Sequence, residues 1–372
     1  MKLKNKISFN NYLNKIVTYQ PGKSGVRKNN KKKIIKLSSN ESPLEYNQEI
    51  ISKINKIKLD MNKYPDPQAM ILRNSISKKY KVGKNNIVFG NGSDEIFFLI
   101  SYAYLNEKLE GLYSQYGFLI YPIAIKATGA KALYATEKNL KVDIEKMLQK
   151  VTKKTKVCFI ANPNNPTGTY LSILEIKRLR EGLPKSCLLV IDSAYSEYVE
   201  EKDYSDCIAY AKTRKDIIVT HTFSKIYGMP ALRIGWAYCP NEISGVLNKI
   251  RPAFNLNTFG QRVAKIVLEN KNYLTTSKKY NLQWKNWLQD EFINMGLDVK
   301  KGVANFILVD FKKPLIRKNY INFLELHNIY VRSLESYKLH SCVRITVGLP
   351  KENKILINTT KKFLKEKRNV AV

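Results

Sequence analysis

A lysine flanked by hydroxyl side chains, with an arginine shortly after it, is the most informative feature of this 372-residue sequence. Thr222-Phe223-Ser224-Lys225 is followed eight positions later by Arg233. A hydroxyl, an amine and a guanidinium around one turn suit a phosphorylated aldehyde. Ser224 and Arg233 would bind the phosphate, and the amine of Lys225 would condense with the carbonyl carbon as a Schiff base.

A second candidate for phosphate binding is the segment Gly90-Asn91-Gly92-Ser93-Asp94-Glu95, which lies between a predicted strand and a predicted helix. A helix that begins here would point free backbone N–H groups at an anion. The segment matches neither the dinucleotide fingerprint nor a P-loop, since it has no third glycine and no Lys-Ser/Thr pair. Taken alone, it is explained more simply as a glycine turn with a helix cap.

Two polar side chains follow buried strands. Asn165 lies in the loop Asn162-Pro163-Asn164-Asn165-Pro166-Thr167-Gly168, whose two prolines indicate a sharp turn that could include a cis bond, and Asp192 ends an apolar strand. Sites in α/β proteins form at such strand ends. A carboxylate there needs a cation or strong donors, and a protonated pyridine nitrogen is one such partner. A helix cap is the alternative for Asp192.

Two arginines lie in strand-like segments near the C-terminus, in Tyr330-Val331-Arg332 and Val343-Arg344-Ile345-Thr346. Arginines in such positions need planar anionic partners. Structural ion pairs, or a charge on an exposed strand face, are the alternatives to a binding site.

The composition excludes several classes of function. The formal charge is +33, but the lysines are spread along the chain and only Lys31-Lys32-Lys33 forms a run, which argues against a nucleic-acid interface. The scattered cysteines and histidines predict neither disulfides nor a metal site. No apolar run approaches the roughly 20 residues of a membrane span, and the N-terminus does not resemble a signal peptide. We therefore expect a cytoplasmic protein that binds neither nucleic acid nor membrane.

The order of predicted elements indicates an α/β fold. Helical segments alternate with short apolar strands near residues 87–89, 131–134, 157–161, 188–191, 217–220 and 234–238. This pattern predicts a mostly parallel sheet covered on both faces. A long helical run, residues 258–295, then precedes strands near 306–309 and 343–347, which predicts a smaller α+β domain. We predict an N-terminal arm at 1–42, a large cofactor-binding domain at 43–255 and a small domain at 256–372.

In this order, the motifs resemble those of fold-type I pyridoxal-phosphate aminotransferases, and within these the histidinol-phosphate aminotransferase family, over nearly the whole chain. The matching segments are Tyr19-Gln20-Pro21-Gly22-Lys23, Leu37-Ser38-Ser39-Asn40-Glu41-Ser42-Pro43, Tyr64-Pro65-Asp66, Gly92-Ser93-Asp94-Glu95, Tyr116-Gly117, Asn165-Pro166-Thr167-Gly168, Asp192-Ser193-Ala194-Tyr195, Ser224-Lys225 with Arg233, Ala304-Asn305-Phe306, and Arg332 with Arg344.

The resemblance implies a role for each residue around the cofactor ring. It makes Lys225 the residue that binds pyridoxal 5'-phosphate covalently and then moves the proton. Asp192 would pair with the pyridine nitrogen, while Asn165 and Tyr195 would bond the phenolic oxygen. Tyr116 would stack on the ring.

The resemblance also implies how the phosphate is bound. Ser93 and Asp94 would contribute backbone groups, and Ser224 and Arg233 would contribute side chains. Tyr64 would reach the cofactor phosphate of a partner subunit, so the implied unit is a homodimer with shared active sites.

For the substrate, the resemblance implies that Arg332 and Arg344 bind the anionic end, with Tyr19 and Asn40 beside them. The substrates would be small molecules, a phosphorylated amine or amino acid and a 2-oxo acid. The expected reaction converts histidinol phosphate and 2-oxoglutarate to imidazole acetol phosphate and glutamate.

Four residues depart from the family's pattern without removing a chemical role, namely Ser193, His221, Pro230 and Lys338. They leave two alternatives open on the same scaffold, an aromatic or other amino-acid aminotransferase and an O-phospho-amino-acid decarboxylase. A cofactor-binding regulatory domain is a third reading, but no DNA-binding module accompanies it in the sequence.

Overall fold

Two β-sheets organise the chain in the computed structural model, which describes residues 8–24 and 34–370, apart from the side chains of 367–370. The larger sheet contains seven strands: β2 (Ile87–Asn91), β3 (Glu110–Ser114), β4 (Lys131–Ala135), β5 (Thr155–Ala161), β6 (Leu188–Asp192), β7 (Ile217–Thr222) and β8 (Ile234–Tyr238). The smaller sheet contains five: β1 (Ile35–Leu37), β9 (Asp298–Lys300), β10 (Phe306–Asp310), β11 (Ile329–Ser333) and β12 (Cys342–Thr346).

The large sheet is mostly parallel, as the sequence predicts. Its strand order is β2-β8-β7-β6-β5-β3-β4, and only β8 runs antiparallel to its neighbours. The pleat sends alternate side chains of each central strand into different cores. On β5, Cys158 and Ile160 join one apolar cluster, whereas Val157 and Phe159 join the other. For this reason the central strands, which are buried on both faces, have continuous apolar runs in the sequence.

Helices cover both faces of the large sheet and one side of the small sheet. They are α1 (Gln48–Asn55), α2 (Met70–Tyr80), α3 (Ser93–Tyr104), α4 (Ile120–Lys126), α5 (Ile144–Gln149), α6 (Ile173–Gly182), α7 (Ile208–Lys212), α8 (Asn241–Ile250), α9 (Thr258–Glu269), α10 (Lys271–Asn294), α11 (Pro314–Leu326) and α12 (Pro350–Val370). Side chains of α10, α11 and α12 form a third apolar cluster with the small sheet.

The small sheet has the order β1-β11-β12-β10-β9, with β1 parallel to β11 and the remaining pairs antiparallel. Its edge strand β1 belongs to the predicted N-terminal arm, so the arm crosses to the C-terminal part of the chain. The described residues after β1 then continue directly into the pocket described below.

The helical run predicted at residues 258–295 is two helices. Asn270 ends α9 and caps α10, because its side chain accepts a hydrogen bond from the Tyr273 N–H at 2.8 Å. Val263 and Val267 of α9 belong to an apolar cluster of the large sheet. The domain boundary at 255/256 stays a prediction, but this helix contributes to the large core.

No helix in the described part of the chain has the length and apolar character needed to cross a membrane. The five cysteines are buried and free. Both prolyl bonds of the 162–168 loop, Asn162-Pro163 and Asn165-Pro166, are cis.

Candidate active site

Most of the predicted site residues meet in one pocket. It lies where β5, β6 and β7 end and where β11 and β12 of the small sheet face them, at the usual site edge of an α/β sheet. The predicted residues that line it are Tyr19, Asn40, Ser93, Asp94, Asn165, Asp192, Tyr195, Ser224, Lys225, Arg233, Arg332 and Arg344. Tyr64 and Tyr116 do not line it.

Lys225 points its amine into this pocket. Its Nζ lies 3.3 Å from the backbone oxygen of Ser39 and 5.7 Å from the centroid of the Tyr195 ring. Burial, and then the charge of Arg344, lower the pKa of Lys225 to about 8 from its ordinary 10.5. A larger fraction of the amine is therefore neutral and nucleophilic near neutral pH.

The lowered pKa predicts how cofactor-free enzyme takes up pyridoxal phosphate. Because only the neutral amine attacks an aldehyde, the rate of covalent attachment should rise with pH and level off above about 8. Stopped-flow absorbance between pH 6 and 10 measures this profile. Nα-acetyl-lysine with the same aldehyde is the reference, and its profile should rise through about 10.4. If the attachment rate of the enzyme has its pH midpoint near that of Nα-acetyl-lysine, the pocket does not lower the pKa of Lys225.

A phosphate cradle lies at the start of α3. Arg233 Nη1 donates to Ser224 Oγ at 3.2 Å, and its Nη2 lies 3.5 Å from Asp94. Gly92 has a φ of +81°, and a Cβ atom there would lie 2.1 Å from Arg233 Nη2. Glycine therefore allows the guanidinium to reach the helix start. Within the described residues no side chain caps α3, so its first N–H groups are available to a dianion.

Asp192 is a buried carboxylate whose hydrogen bonds, within residues 8–24 and 34–370, come from neutral donors. These are the Tyr121 hydroxyl at 2.8 Å, the Ala194 N–H at 3.2 Å and the Thr220 hydroxyl at 3.3 Å. Burial raises the pKa of Asp192 to about 6, although these hydrogen bonds oppose the rise. A protonated ring nitrogen in the pocket would supply the cation that a buried carboxylate needs.

Tyr121 contacts the candidate site through Asp192, and the sequence analysis did not single it out. It lies in the apolar helix α4, is fully buried and stacks on Phe159 with ring centroids 5.2 Å apart. An aromatic residue in such a helix is typical of core packing, so only its contact with Asp192 reveals the second role.

Arg332 and Arg344 are cross-strand partners on β11 and β12, and both are buried. In the described chain their hydrogen bonds go to neutral oxygens. Arg332 donates to the Gln20 carbonyl at 2.5 Å, and Arg344 donates to Asn165 Oδ1 at 2.5 Å and to the Ser38 carbonyl at 2.9 Å. Two buried guanidiniums without a carboxylate among these partners have the chemistry to bind an anion, as the sequence predicts.

The stacking role expected of Tyr116 stays a prediction, since Tyr116 is not among the residues that line this pocket. Tyr116 lies in the turn after β3, in which the Gly117 N–H donates to the Ser114 carbonyl at 2.8 Å. Tyr116 packs instead against a cluster that includes Leu339. Phe118 lines the pocket, and its ring centroid lies 6.3 Å from that of Tyr19. The sequence alone does not show whether Tyr116 or Phe118 lines the pocket, because that depends on the path of this turn.

Tyr64 lies on the surface outside this pocket. Its side chain is 82% exposed and stacks on Phe254, with ring centroids 4.5 Å apart. Its predicted role in a partner's active site is taken up below as a proposal.

The donors of the pocket match pyridoxal phosphate group by group: an amine for the aldehyde, an N-terminal helix cradle for the phosphate and a buried carboxylate for the ring nitrogen. The Asp192 carboxylate is the most specific of these matches, because among the described residues it is buried and hydrogen-bonded to neutral donors without a cationic partner. The fold and the pocket together define a fold-type I enzyme that depends on pyridoxal phosphate.

Comparison with known proteins identifies the family. The family described as Aminotransferase class I and II matches residues 32–359. The histidinol-phosphate aminotransferase of Pelagibacter ubique is 42% identical over 349 residues, which are 93% of this chain and 96% of that relative. The chain belongs to the class I and II aminotransferases, in the histidinol-phosphate aminotransferase family.

Solved structures share the fold. Histidinol-phosphate aminotransferase from Sinorhizobium meliloti, in complex with pyridoxal-5'-phosphate, superimposes with a TM-score of 0.89 at 21% identity, over 98% of this chain and 100% of that one. L-threonine-O-3-phosphate decarboxylase from Porphyromonas gingivalis has a TM-score of 0.75 at 23% identity, over 89% and 100%. The fold therefore carries more than one reaction, and the substrate must be argued from the site.

Proposed function

We propose that this pyridoxal-phosphate-dependent aminotransferase transfers the amino group of histidinol phosphate to 2-oxoglutarate, forming imidazole acetol phosphate and glutamate in histidine biosynthesis. The pair of buried guanidiniums, Arg332 and Arg344, carries the proposal. The name of the Pelagibacter ubique relative, at 42% identity, supports the same substrate.

The preference for a phosphate follows from charge and geometry. A phosphate has two negative charges and three acceptor oxygens, so it can bind both guanidiniums, whereas one carboxylate satisfies one of them well. Tyr19 lies beside this site, with its ring centroid 5.8 Å from the Arg332 guanidinium carbon. The formal charge of +33 would attract a dianion further, and that contribution should weaken with added salt.

Arg332→Ala tests the substrate. We expect kcat/KM for histidinol phosphate to fall about 10- to 100-fold more than kcat/KM for phenylalanine, because Arg344 alone can still bind a carboxylate. Wild-type enzyme should prefer histidinol phosphate to both phenylalanine and unphosphorylated histidinol.

The matched control for this test is Arg317→Met, since Arg317 is a buried arginine that binds Glu335 outside the pocket. It should change kcat/KM for the two amino donors equally. Equal losses in Arg332→Ala, or a wild-type preference for phenylalanine, would favour an amino-acid aminotransferase. Release of CO₂ from O-phosphothreonine would instead favour the decarboxylase reading.

The proposed roles of the residues follow from their positions. Pyridoxal phosphate, when bound, supplies an electron sink for the negative charge that develops at the substrate carbon. The Asp192 carboxylate would hold a proton on the ring nitrogen, and Phe118 would cover one face of the ring. Lys225 Nζ would move a proton between the substrate carbon and C4′ of the cofactor.

Two further residues would bind the phenolic oxygen. The Oδ1 atom of Asn165 accepts from Arg344, so its Nδ2 group is left to donate to the cofactor. Tyr195 lines the same pocket, and its hydroxyl would be the second donor. Ser224, Arg233 and the first N–H groups of α3 would hold the phosphate.

We also propose that the enzyme is a homodimer in which Tyr64 completes the active site of the partner. Tyr64 stacks on Phe254, which is 37% exposed, and two further exposed apolar residues, Leu59 and Met61, precede it in the chain and are 41% and 94% exposed. A cluster of this kind on one surface is typical of a protein–protein interface.

A hybrid dimer tests shared sites. Tyr64→Phe should reduce activity about 10- to 100-fold, since the tyrosine would lose a hydrogen bond to a charged phosphate. Mixing Tyr64→Phe subunits with Lys225→Ala subunits should restore activity, because one site of the hybrid then receives Lys225 from one subunit and Tyr64 from the other.

The control for the hybrid places both substitutions in one subunit and mixes it with wild type. Each site of that hybrid carries one lesion, so its activity should stay low. If Tyr64 serves its own subunit, the first mixture would recover nothing and the control mixture would keep one intact site.

A further inference from the structure

Asn40 connects the small sheet to the pocket. It is 1% exposed and has a φ of +55°, a left-handed conformation that asparagine tolerates better than most residues. Its N–H donates to Thr346 Oγ1 at 2.9 Å, and the Thr346 hydroxyl donates to Asn40 Oδ1 at 3.2 Å. Asn305 Nδ2 donates to the Asn40 carbonyl at 3.0 Å. Thr346 on β12 and Asn305, directly before β10, thus hold both the backbone and the side chain of Asn40.

These contacts determine which way the Asn40 amide faces. The buried Thr346 hydroxyl has one proton to donate, and within the described residues Asn40 Oδ1 is the acceptor that it finds, which favours the orientation with Oδ1 towards Thr346. The amide nitrogen then faces Tyr195, with Nδ2 at 2.8 Å from the hydroxyl oxygen. An amide NH₂ group donates and does not accept. The Tyr195 oxygen must therefore be the acceptor in this hydrogen bond.

The single proton of the Tyr195 hydroxyl must consequently point away from Asn40. Within residues 8–24 and 34–370, this hydroxyl donates to no acceptor. Tyr195 lines the pocket, and its ring lies beneath Lys225 Nζ. The proton is directed to the open space of the pocket, where the proposed function places the phenolic oxygen of the cofactor.

We infer that Asn40 is a positioning residue that makes Tyr195 a hydrogen-bond donor to the cofactor, and that Thr346 and Asn305 of the small domain hold it in that orientation. The inference rests on the proposed function for the position of the cofactor. A donor held at the phenolic oxygen stabilises negative charge there, so the bound cofactor releases its proton at a lower pH.

The test follows the visible absorbance of bound pyridoxal phosphate against pH, without any amino donor. Asn40→Asp replaces the donating nitrogen with an accepting oxygen of the same shape, and this oxygen should turn the Tyr195 proton out of the pocket. We expect the pH midpoint to rise by about one unit or more. Tyr195→Phe should raise it similarly, because the donor is lost.

A double-mutant cycle separates this effect from the added charge of Asn40→Asp. In a Tyr195→Phe background only the charge effect remains, so the shift caused by Asn40→Asp should be smaller by at least about half a unit. An equal shift in both backgrounds would overturn the inference. A structural role alone would lower the melting temperature in both backgrounds without this difference.

Thr346→Val provides a second, uncharged variant, which also decides the matter if circular dichroism shows that Asn40→Asp does not fold. Loss of the Thr346 hydroxyl frees the amide to rotate and should raise the midpoint by a few tenths of a unit. An unchanged midpoint would overturn the role given to the small domain. These pH midpoints do not depend on the substrate, so they remain valid if histidinol phosphate is the wrong amino donor. Wild-type enzyme without a bound chromophore would refute the proposal that it binds pyridoxal phosphate.

Discussion

Lys225→Ala is expected to reduce turnover by at least about 10⁴-fold while leaving the fold intact. The substitution removes both the amine that binds the cofactor covalently and the base that moves the substrate proton, and the described chain places no second lysine among the residues that line the pocket. Wild-type enzyme treated with borohydride should carry the cofactor on Lys225, which peptide mass spectrometry can locate.

The control for this experiment is Lys285→Met. Lys285 is also buried and its pKa is also lowered by burial, but its amine bonds the Gly302 carbonyl at 2.8 Å outside the pocket. This variant should still carry the reduced adduct on Lys225. Detection of the wild-type adduct on any other lysine would refute the assignment of the site.

Asp192→Asn is expected to slow turnover by about 10²- to 10³-fold with the cofactor still bound. A neutral amide cannot hold a proton on the ring nitrogen, so the negative charge that develops during proton removal loses its stabilisation. The amide keeps the size of the carboxylate and can still contact Tyr121. The rate of the half-reaction with a single amino donor, followed by cofactor absorbance, measures the loss.

The control for the Asp192 variant is Asp216→Asn. Asp216 pairs with Arg180 and Arg214 away from the pocket, so its substitution should affect stability more than the half-reaction rate. Near-normal turnover in Asp192→Asn would mean that this carboxylate does not face the ring nitrogen.

The sequence predicts a site residue best when that residue lies at the end of a predicted strand. Asn165, Asp192 and Lys225 each follow a strand of the parallel sheet, and parallel strands bring their carboxyl ends to one edge. Apolar runs that end in a polar residue therefore indicate both the strand and the side chain that it presents. The alternation of apolar strands with helical segments also predicted the fold class correctly. The break at Asn270 was missed because the helical pattern continues on both sides of this capping residue.

The amino-acid sequence by itself thus predicted the α/β class, the lysine that lines the pocket and the polar residues at the ends of the parallel strands, because these depend on periodicity and short spacing. Only the tertiary structure shows that Phe118 lines the pocket, that the Tyr121 hydroxyl donates to Asp192 and that Asn40 donates to Tyr195. These contacts join residues on different elements. Their geometry is set by the path of a turn and by how the two sheets pack, which no local pattern encodes.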